Sequence, residues 1–425
     1  MSVTLSLAGL GPEVEGIGFM QCAVDRVTDS GLASFAQRLK VRYATTRFTP
    51  SSRHRSSLQL RFNPTLHALR GVAAMAVLMF HWYQFFPDTI EALSPDATAR
   101  TLLDPTIYLA FGWLGVPLFF VLSGYLLGAQ VIENRLGAEF LRKFWLRRLV
   151  RIYPAVWAEL IILLLLSTVI TGFISDKGME TLPLQFMLWV NLPPVMATPI
   201  NLVWWTLPIE LSFYALLPLL GLLVRFVGWR LLLCCALAVT LGWRGWLFTT
   251  TETNDYLSIL PVLDSLPGVL LTFMLGFTIN FLPAELTTRQ STVGLAVALL
   301  LLLALMQWQL IMGDVYWTGH WILVVWPPCV ACCIAALVYF LRDPTPEWQW
   351  LNHRILVWLG HVSFGIYLWH FQVFRVLTLV YPDAWASPLS GFGALFIAVP
   401  ATLLLAALSF YVVERPLMNW VRRVT

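Results

Sequence analysis

Leu69-Arg70-Gly71-Val72-Ala73-Ala74-Met75-Ala76-Val77-Leu78-Met79-Phe80-His81 is an apolar run with one ionisable group near each end. On a helix, eleven residues turn the chain through about 1100°, about 20° beyond three full turns, and advance it about 16 Å. Arg70 and His81 therefore share one stripe. A guanidinium and an imidazole on one edge of a membrane helix are costly to place in hydrocarbon, so a functional role is the default reading. Their separation suits a long, thin ligand with an anionic head at one end and a reactive group at the other.

Composition supports a membrane span here and elsewhere. The 425 residues are 58% hydrophobic and 12% charged, with a mean hydropathy of +0.74; soluble domains carry about 25% charged residues. At about 20 apolar residues per span, ten spans are predicted, at 66–86, 107–129, 153–173, 202–224, 230–248, 259–282, 291–312, 319–341, 358–381 and 391–413. The expected fold class is all-α: a polytopic membrane protein with about ten transmembrane helices around a central tunnel. Trp204, Trp205, Trp317, Trp321 and Trp326 lie toward span ends, where interfacial anchors belong.

Loop charges give an orientation. The odd-numbered loops hold Asp88, Glu91, Asp96, Arg100 and Asp104, then Asp176, Lys177 and Glu180, then Glu252 and Asp255, then Asp314, then Asp383. Each is net acidic. The even-numbered loops hold Arg135, Arg142, Lys143, Arg147, Arg148 and Arg151, then Arg225 and Arg230, Arg289, and Arg342 and Arg354, and Arg415, Arg422 and Arg423 follow the last span. The positive-inside rule places both termini in the cytoplasm of a plasma (inner) membrane protein. The net charge of +4 then reflects topology and excludes nucleic acid as the implied partner.

Three stretches follow. Residues 1–61 are polar, with no apolar core long enough for a signal peptide; a helix around Leu32, Phe35, Leu39 and Tyr43 could lie on the inner leaflet. Residues 62–414 form the transmembrane domain, and 415–425 a short basic cytoplasmic tail. The 174–201 loop, with Trp189 and four prolines, is expected to pack as a re-entrant or interfacial lid. Of six cysteines, Cys234, Cys235, Cys329, Cys332 and Cys333 fall in spans as small apolar residues, with no disulfide framework. Cys329-x-x-Cys332-Cys333 has no polar partner in its helix, so no metal is expected.

Depth within the spans gathers further ionisable groups. His81, Glu210, Asp264, His320, Arg244 and Arg375 fall in the outer half and His370 near mid-depth. Unpaired in lipid they would be very costly, so a cavity between spans one, four, six and nine is expected. Imidazole titrates near neutrality and is the commonest general base. His81 is therefore the candidate catalytic base and Glu210 the carboxylate that orients it. Glu210 pairing with Arg244 as a helix tie is the other reading of that residue. Candidate acceptor or cavity residues are His370, Asp264, Tyr367 and Trp205; His370 as a hydrogen-bonded helix tie also stays open.

On the cytoplasmic side, Arg147-Arg148-Leu149-Val150-Arg151-Ile152-Tyr153-Pro154 puts Arg148 and Arg151 one turn apart on one face. Guanidinium forks suit phosphates; attraction to anionic headgroups explains a basic loop equally. The candidate donor-handling residues are Arg70, Arg148, Arg151, Tyr153 and Ser123. The glycines of Gly112-Trp113-Leu114-Gly115 and Ser123-Gly124-Tyr125 admit either a ligand or a neighbouring helix. In the tunnel so described, an anionic carrier docks on the inner arginines, threads an arm past Arg70 and presents a thioester near His81.

Six segments in order over 62–420 resemble the membrane acyltransferase-3 family, which includes cell-surface polysaccharide O-acetyltransferases. They are Leu66-x-x-Leu69-Arg70-Gly71 through Phe80-His81, Gly115-Val116-x-Leu118-Phe119-Phe120-Val121-Leu122-Ser123-Gly124-Tyr125, Arg147 through Pro154, Trp205-Thr206-Leu207-Pro208-Ile209-Glu210-x-x-Phe213-Tyr214, Ser363 through His370, and Glu414-Arg415-Pro416. The resemblance implies a cytoplasmic acyl-CoA co-substrate, usually acetyl-CoA, a catalytic His81, and donor handling by Arg70, Arg148 and Arg151. The tunnel would then be an acyl-donor tunnel. His67 and Pro117 replace acidic residues common in the family's motifs. Many bacterial relatives append a periplasmic hydrolase-like domain that is not expected here, so the membrane domain would finish the reaction or hand off to another protein. The expected function is O-acyl transfer, most simply acetyl, to a hydroxyl of an extracytoplasmic glycan or lipid-linked sugar. The alternative is a transporter or flippase using the intramembrane His, Glu and Arg as an ion relay.

Overall fold

The computed structural model describes residues 63–93, 101–251, 259–313, 321–342, 346–385 and 387–425. The 1–61 segment, with its expected amphipathic helix, and His320 lie outside the described residues.

Every regular element among the described residues is helical. The long ones are α1 (Pro64–Phe85), α2 (Pro105–Glu133), α3 (Ala138–Ser167), α4 (Leu202–Val227), α5 (Trp229–Thr250), α6 (Leu266–Phe281), α7 (Thr288–Met312), α8 (Ile322–Leu341), α9 (Arg354–Val380) and α10 (Pro388–Val424). Ten elements thus occupy the ten predicted positions, but only eight are long and apolar enough to cross a membrane. The two outside that count are α1 and α6. His67, Arg70 and His81 reduce the hydropathy of α1. The sixth predicted span is divided, because a short helix at Leu260–Leu263 ends before Asp264 and α6 restarts with Pro267 in its first turn.

The start of α1 is set locally. Asn63 Oδ1 accepts from the Leu66 amide at 3.1 Å, and Pro64 occupies the first helical position, where its missing N–H goes unused. Next to it, Asn63 Nδ2 donates to the Arg342 carbonyl and Thr65 Oγ1 to Asn352 Oδ1. Arg147 reaches Thr425 Oγ1 and Arg225 the Asn134 carbonyl. These contacts gather the arginine-bearing helix termini, hereafter the basic end.

Helices α1 and α9 rise from that end side by side. Thr65 meets Asn352, Gly71 meets Gly360, and His81 meets His370. A Cβ on Gly360 would fall on the His67 carbonyl oxygen, so glycine sets how closely these helices approach. The other glycines also admit neighbouring helices: Gly112 and Gly115 face α1 carbonyls, and Gly124 faces the Phe273 carbonyl of α6.

The 174–201 segment turns back into the protein. Trp157 Nε1 donates to the Phe186 carbonyl and the Tyr153 hydroxyl to the Met187 carbonyl, each at 3.0 Å. Those partners lie ten and fourteen residues before the end of α3, about 15 and 21 Å down its axis. Gln185, fully buried, holds the loop closed by donating to the Thr198 carbonyl and accepting from the Ile200 amide. The 174–201 segment thus packs along α3 and closes on itself.

Candidate active site

The pocket near the basic end begins with charge. Glu210 and Tyr214 are four residues apart on α4 and so share a face. Glu210 Oε1 accepts from the Tyr214 hydroxyl and, at 2.8 Å, from Ser123 Oγ of α2. The Arg148 guanidinium of α3 lies within electrostatic reach of Tyr214 and Glu210. Arg151, one turn further along, forms a 2.7 Å ion pair with the buried carboxylate of Glu414 on α10. Arg70 lies within electrostatic reach of Glu210, Arg148 and Arg151, and its guanidinium carbon is 5.8 Å from the Phe119 ring centroid. Three guanidinium groups therefore face two carboxylates. The Nε of Arg148 is buried with no hydrogen-bond partner. A site with excess positive charge and an unused donor has chemistry suited to an anion.

Arg70 and Glu210 line this pocket together with Phe119, Ser363, Phe364 and Tyr367. Tyr367 forms its far wall. Its hydroxyl donates to the Val203 carbonyl at 2.8 Å and accepts from Thr206 Oγ1 at 2.9 Å. Behind Tyr367, 6.0 Å away between ring centroids, stands His370, whose ring is 4.8 Å from that of His81. The column runs from Arg70 over Phe119, to Tyr367 at 6.1 Å, to His370 and to His81. The two ends of the α1 stripe are thus linked along one side of the helix. Nε2 of His370 lies 3.0 Å from Nδ1 of His81, and Phe80 and Phe371 pack against the His81 ring.

Several sequence expectations are corrected by this geometry. Glu210 is not bonded to His81; it belongs to the arginine cluster, and the partner of His81 is His370. Arg244 does not pair with Glu210. Its guanidinium is buried on the carboxylate of Asp264 at 2.7 Å and on the Leu323, Leu263 and Gly268 carbonyls, tying the break before α6 to α5 and α8. Asp264 is thereby a structural partner, not a cavity residue. Tyr153 faces the re-entrant loop, because five residues from Arg148 is about 140° around the helix. Trp205 is half-buried and does not line the pocket. Ser123 is close by but serves Glu210, and Arg375 donates to the Phe173 carbonyl and stacks on that ring at 4.6 Å. No group of three or more His, Cys, Asp or Glu among the described residues could hold a metal ion.

One buried carboxylate has no counterpart among the sequence candidates. Glu159 of α3 is fully buried and accepts from Asn201 Nδ2 at 2.6 Å and Trp204 Nε1 at 2.8 Å, and Asn201 also donates to the Leu368 carbonyl. It fixes the turn that precedes Thr206 and thereby the partners of Tyr367. Its signal was present: it lies eleven residues after Arg148, on the same stripe, in an apolar run.

Comparison with known proteins bears on what such a pocket does. A family described as an acyltransferase domain matches residues 63–411. This chain belongs to that acyltransferase family. The acyltransferase is 25% identical over 84% of its length to a Bacillus subtilis (strain 168) protein provisionally named a peptidoglycan O-acetyltransferase, YrhL. It is 28% identical over 85% of its length to acyltransferase MdmB of Streptomyces mycarofaciens, and 23% identical over 84% to peptidoglycan O-acetyltransferase OatA of Listeria monocytogenes. It spans 55% of the Bacillus protein and 56% of the Listeria protein, but 92% of the Streptomyces one. No solved structure matches it.

Proposed function

We propose that this acyltransferase is a membrane O-acyltransferase. It takes an acyl group, acetyl in the simplest case, from acyl-CoA at the basic end and delivers it to a hydroxyl of an extracytoplasmic glycan or lipid-linked sugar. In this reading the basic end faces the cytoplasm, both termini lie there, and the membrane is the plasma membrane. One observation carries the proposal: a pocket lined by Arg70 and Glu210, with Arg148, Arg151 and Glu414 in electrostatic reach of them, leads along an aromatic column to a pair of imidazoles. Arg70, Arg148 and Arg151 hold the phosphates of the donor, Phe119 and Phe364 flank its narrow arm, and His81 is the base for the acceptor hydroxyl. The names of the relatives, two of which specify peptidoglycan O-acetylation, support a glycan acceptor.

The acceptor hydroxyl proton passes to His81, the oxygen attacks the thioester carbonyl carbon, the C–S bond breaks, and the departing thiolate takes the proton back. A positioned base of this kind contributes about 10²–10⁴-fold. Mass spectrometry of surface glycan from cells producing the wild-type chain or its His81→Ala variant tests the reading. Loss of O-acetyl ester in the variant, with acetyl-CoA binding intact, is the expected result. Solute flux that needs a proton gradient and no acyl donor would favour transport and overturn it.

A further inference from the structure

Each imidazole of the pair touches a backbone carbonyl as well as the other ring. His81 Nδ1 lies 3.0 Å from the Val77 carbonyl oxygen, and His370 Nδ1 lies 2.9 Å from that of Ile366. A carbonyl oxygen only accepts, so both Nδ1 atoms carry hydrogen. A neutral His370 then has an unshared pair on Nε2, and that atom lies 3.0 Å from His81 Nδ1. The His81 Nδ1–H is shared between the Val77 carbonyl and His370 Nε2, a three-centre arrangement. Reversing the central bond would leave a bare His81 Nδ1 facing a carbonyl lone pair at 3.0 Å. Only one neutral assignment therefore satisfies all three contacts. In that state His81 keeps its unshared pair on Nε2, which has no hydrogen-bond partner among the described residues.

We infer that His370 is a positioning residue that fixes the tautomer of His81, making Nε2 of His81 the basic atom, with an imidazole in the place where hydrolase triads use a carboxylate. The inference rests on the proposed function for its chemical consequence, though not for the tautomer itself. Second partners that lock a catalytic imidazole commonly do so through Nδ1. His370 is suited to this role: it is fully buried, its own Nδ1–H is held by the α9 backbone, and Phe80, Phe371 and Tyr367 pack around the two rings. Because no carboxylate bonds to either ring among the described residues, the positive charge gained by His81 during transfer is shared only with a second imidazole. The His81 Nδ1–H stays in place while Nε2 receives and returns the proton.

Two measurements on the full chain in lipid nanodiscs test this. The first is nitrogen NMR of 15N-histidine-labelled protein, with His81 assigned from the signals lost in His81→Gln. The expected result is a His81 ring protonated on Nδ1 and bare on Nε2, becoming a mixture of tautomers in His370→Leu. A wild-type His81 protonated on Nε2 would overturn the inference whatever the activity. The second compares His370→Gln, whose amide oxygen can accept from His81 Nδ1–H, with His370→Leu, using radiolabelled acetyl-CoA and label recovered in cell-envelope glycan. The glutamine variant is expected within about tenfold of wild type, and the leucine variant to lose about 100-fold or more in kcat with KM for acetyl-CoA unchanged. Equal activity in the two variants would overturn the role of His370. Absence of transfer by the wild-type chain would count against the proposed function and leave the NMR result to decide the tautomer.

Discussion

Replacing Glu159 by leucine removes the acceptor that holds Asn201 and Trp204 in place. Both hydrogen bonds are fully buried. Side-chain hydrogen bonds between membrane helices measure about 0.6 kcal/mol on average and about 1.7 at most. The loss of two is therefore worth about 1–3 kcal/mol. Asn201 keeps its bond to the Leu368 carbonyl, but the Trp204 indole N–H is left buried without a partner. Pairing Glu159→Leu with Trp204→Phe removes that orphan, so the double variant should be less destabilised than the sum of the singles, by about 0.6–1.7 kcal/mol. Thermal unfolding of the four proteins in nanodiscs, with wild type and Glu159→Gln as references, measures the coupling. Purely additive effects, or Glu159→Leu as stable as Glu159→Gln, would refute the tethering of the 201–204 turn by Glu159.

Three further outcomes follow from the same geometry. Arg151→Ala leaves the Glu414 carboxylate buried and unpaired and is expected to lose about 3–5 kcal/mol, whereas Arg151→Met with Glu414→Leu recovers most of it; thermal unfolding reads the difference. Tyr214→Phe removes the hydroxyl that donates to Glu210 beside Arg148 and, on the proposed function, should raise KM for acetyl-CoA about tenfold, at about 1.4 kcal/mol per decade, with the melting temperature little changed. Gly360→Ala drives α1 away from α9 and is expected to lose transfer activity through separation of the two imidazoles, visible as loss of the His81 tautomer preference by NMR.

The sequence is most informative where chemistry repeats at helical period. Arg70 and His81, Arg148 and Arg151, and Glu210 and Tyr214 each share a face by spacing alone. The same arithmetic excludes Tyr153 from the arginine face and puts Glu159 on the stripe of Arg148. Pairings between distant segments have no such local signature. His81 and His370 are 289 residues apart, and two acidic residues at similar depth, Glu210 and Asp264, were equally available to Arg244 until helix packing chose. The division of the sixth span at Asp264 was hidden because proline and serine beside an apolar run do not reveal whether the helix bends or restarts.

Tyr367 gives the molecule a property that neither polar cluster has by itself. With its hydroxyl anchored by Val203 and Thr206, the phenol stands between the arginines and the imidazoles, so these meet across an aromatic barrier and not along a file of hydrated groups. A hydrated ion loses its shell at such a constriction, whereas a carrier arm a few atoms wide can slide past a single ring. On the proposed function, this barrier lets a reactive group pass toward the far leaflet while the membrane stays tight to ions and keeps its stored gradient.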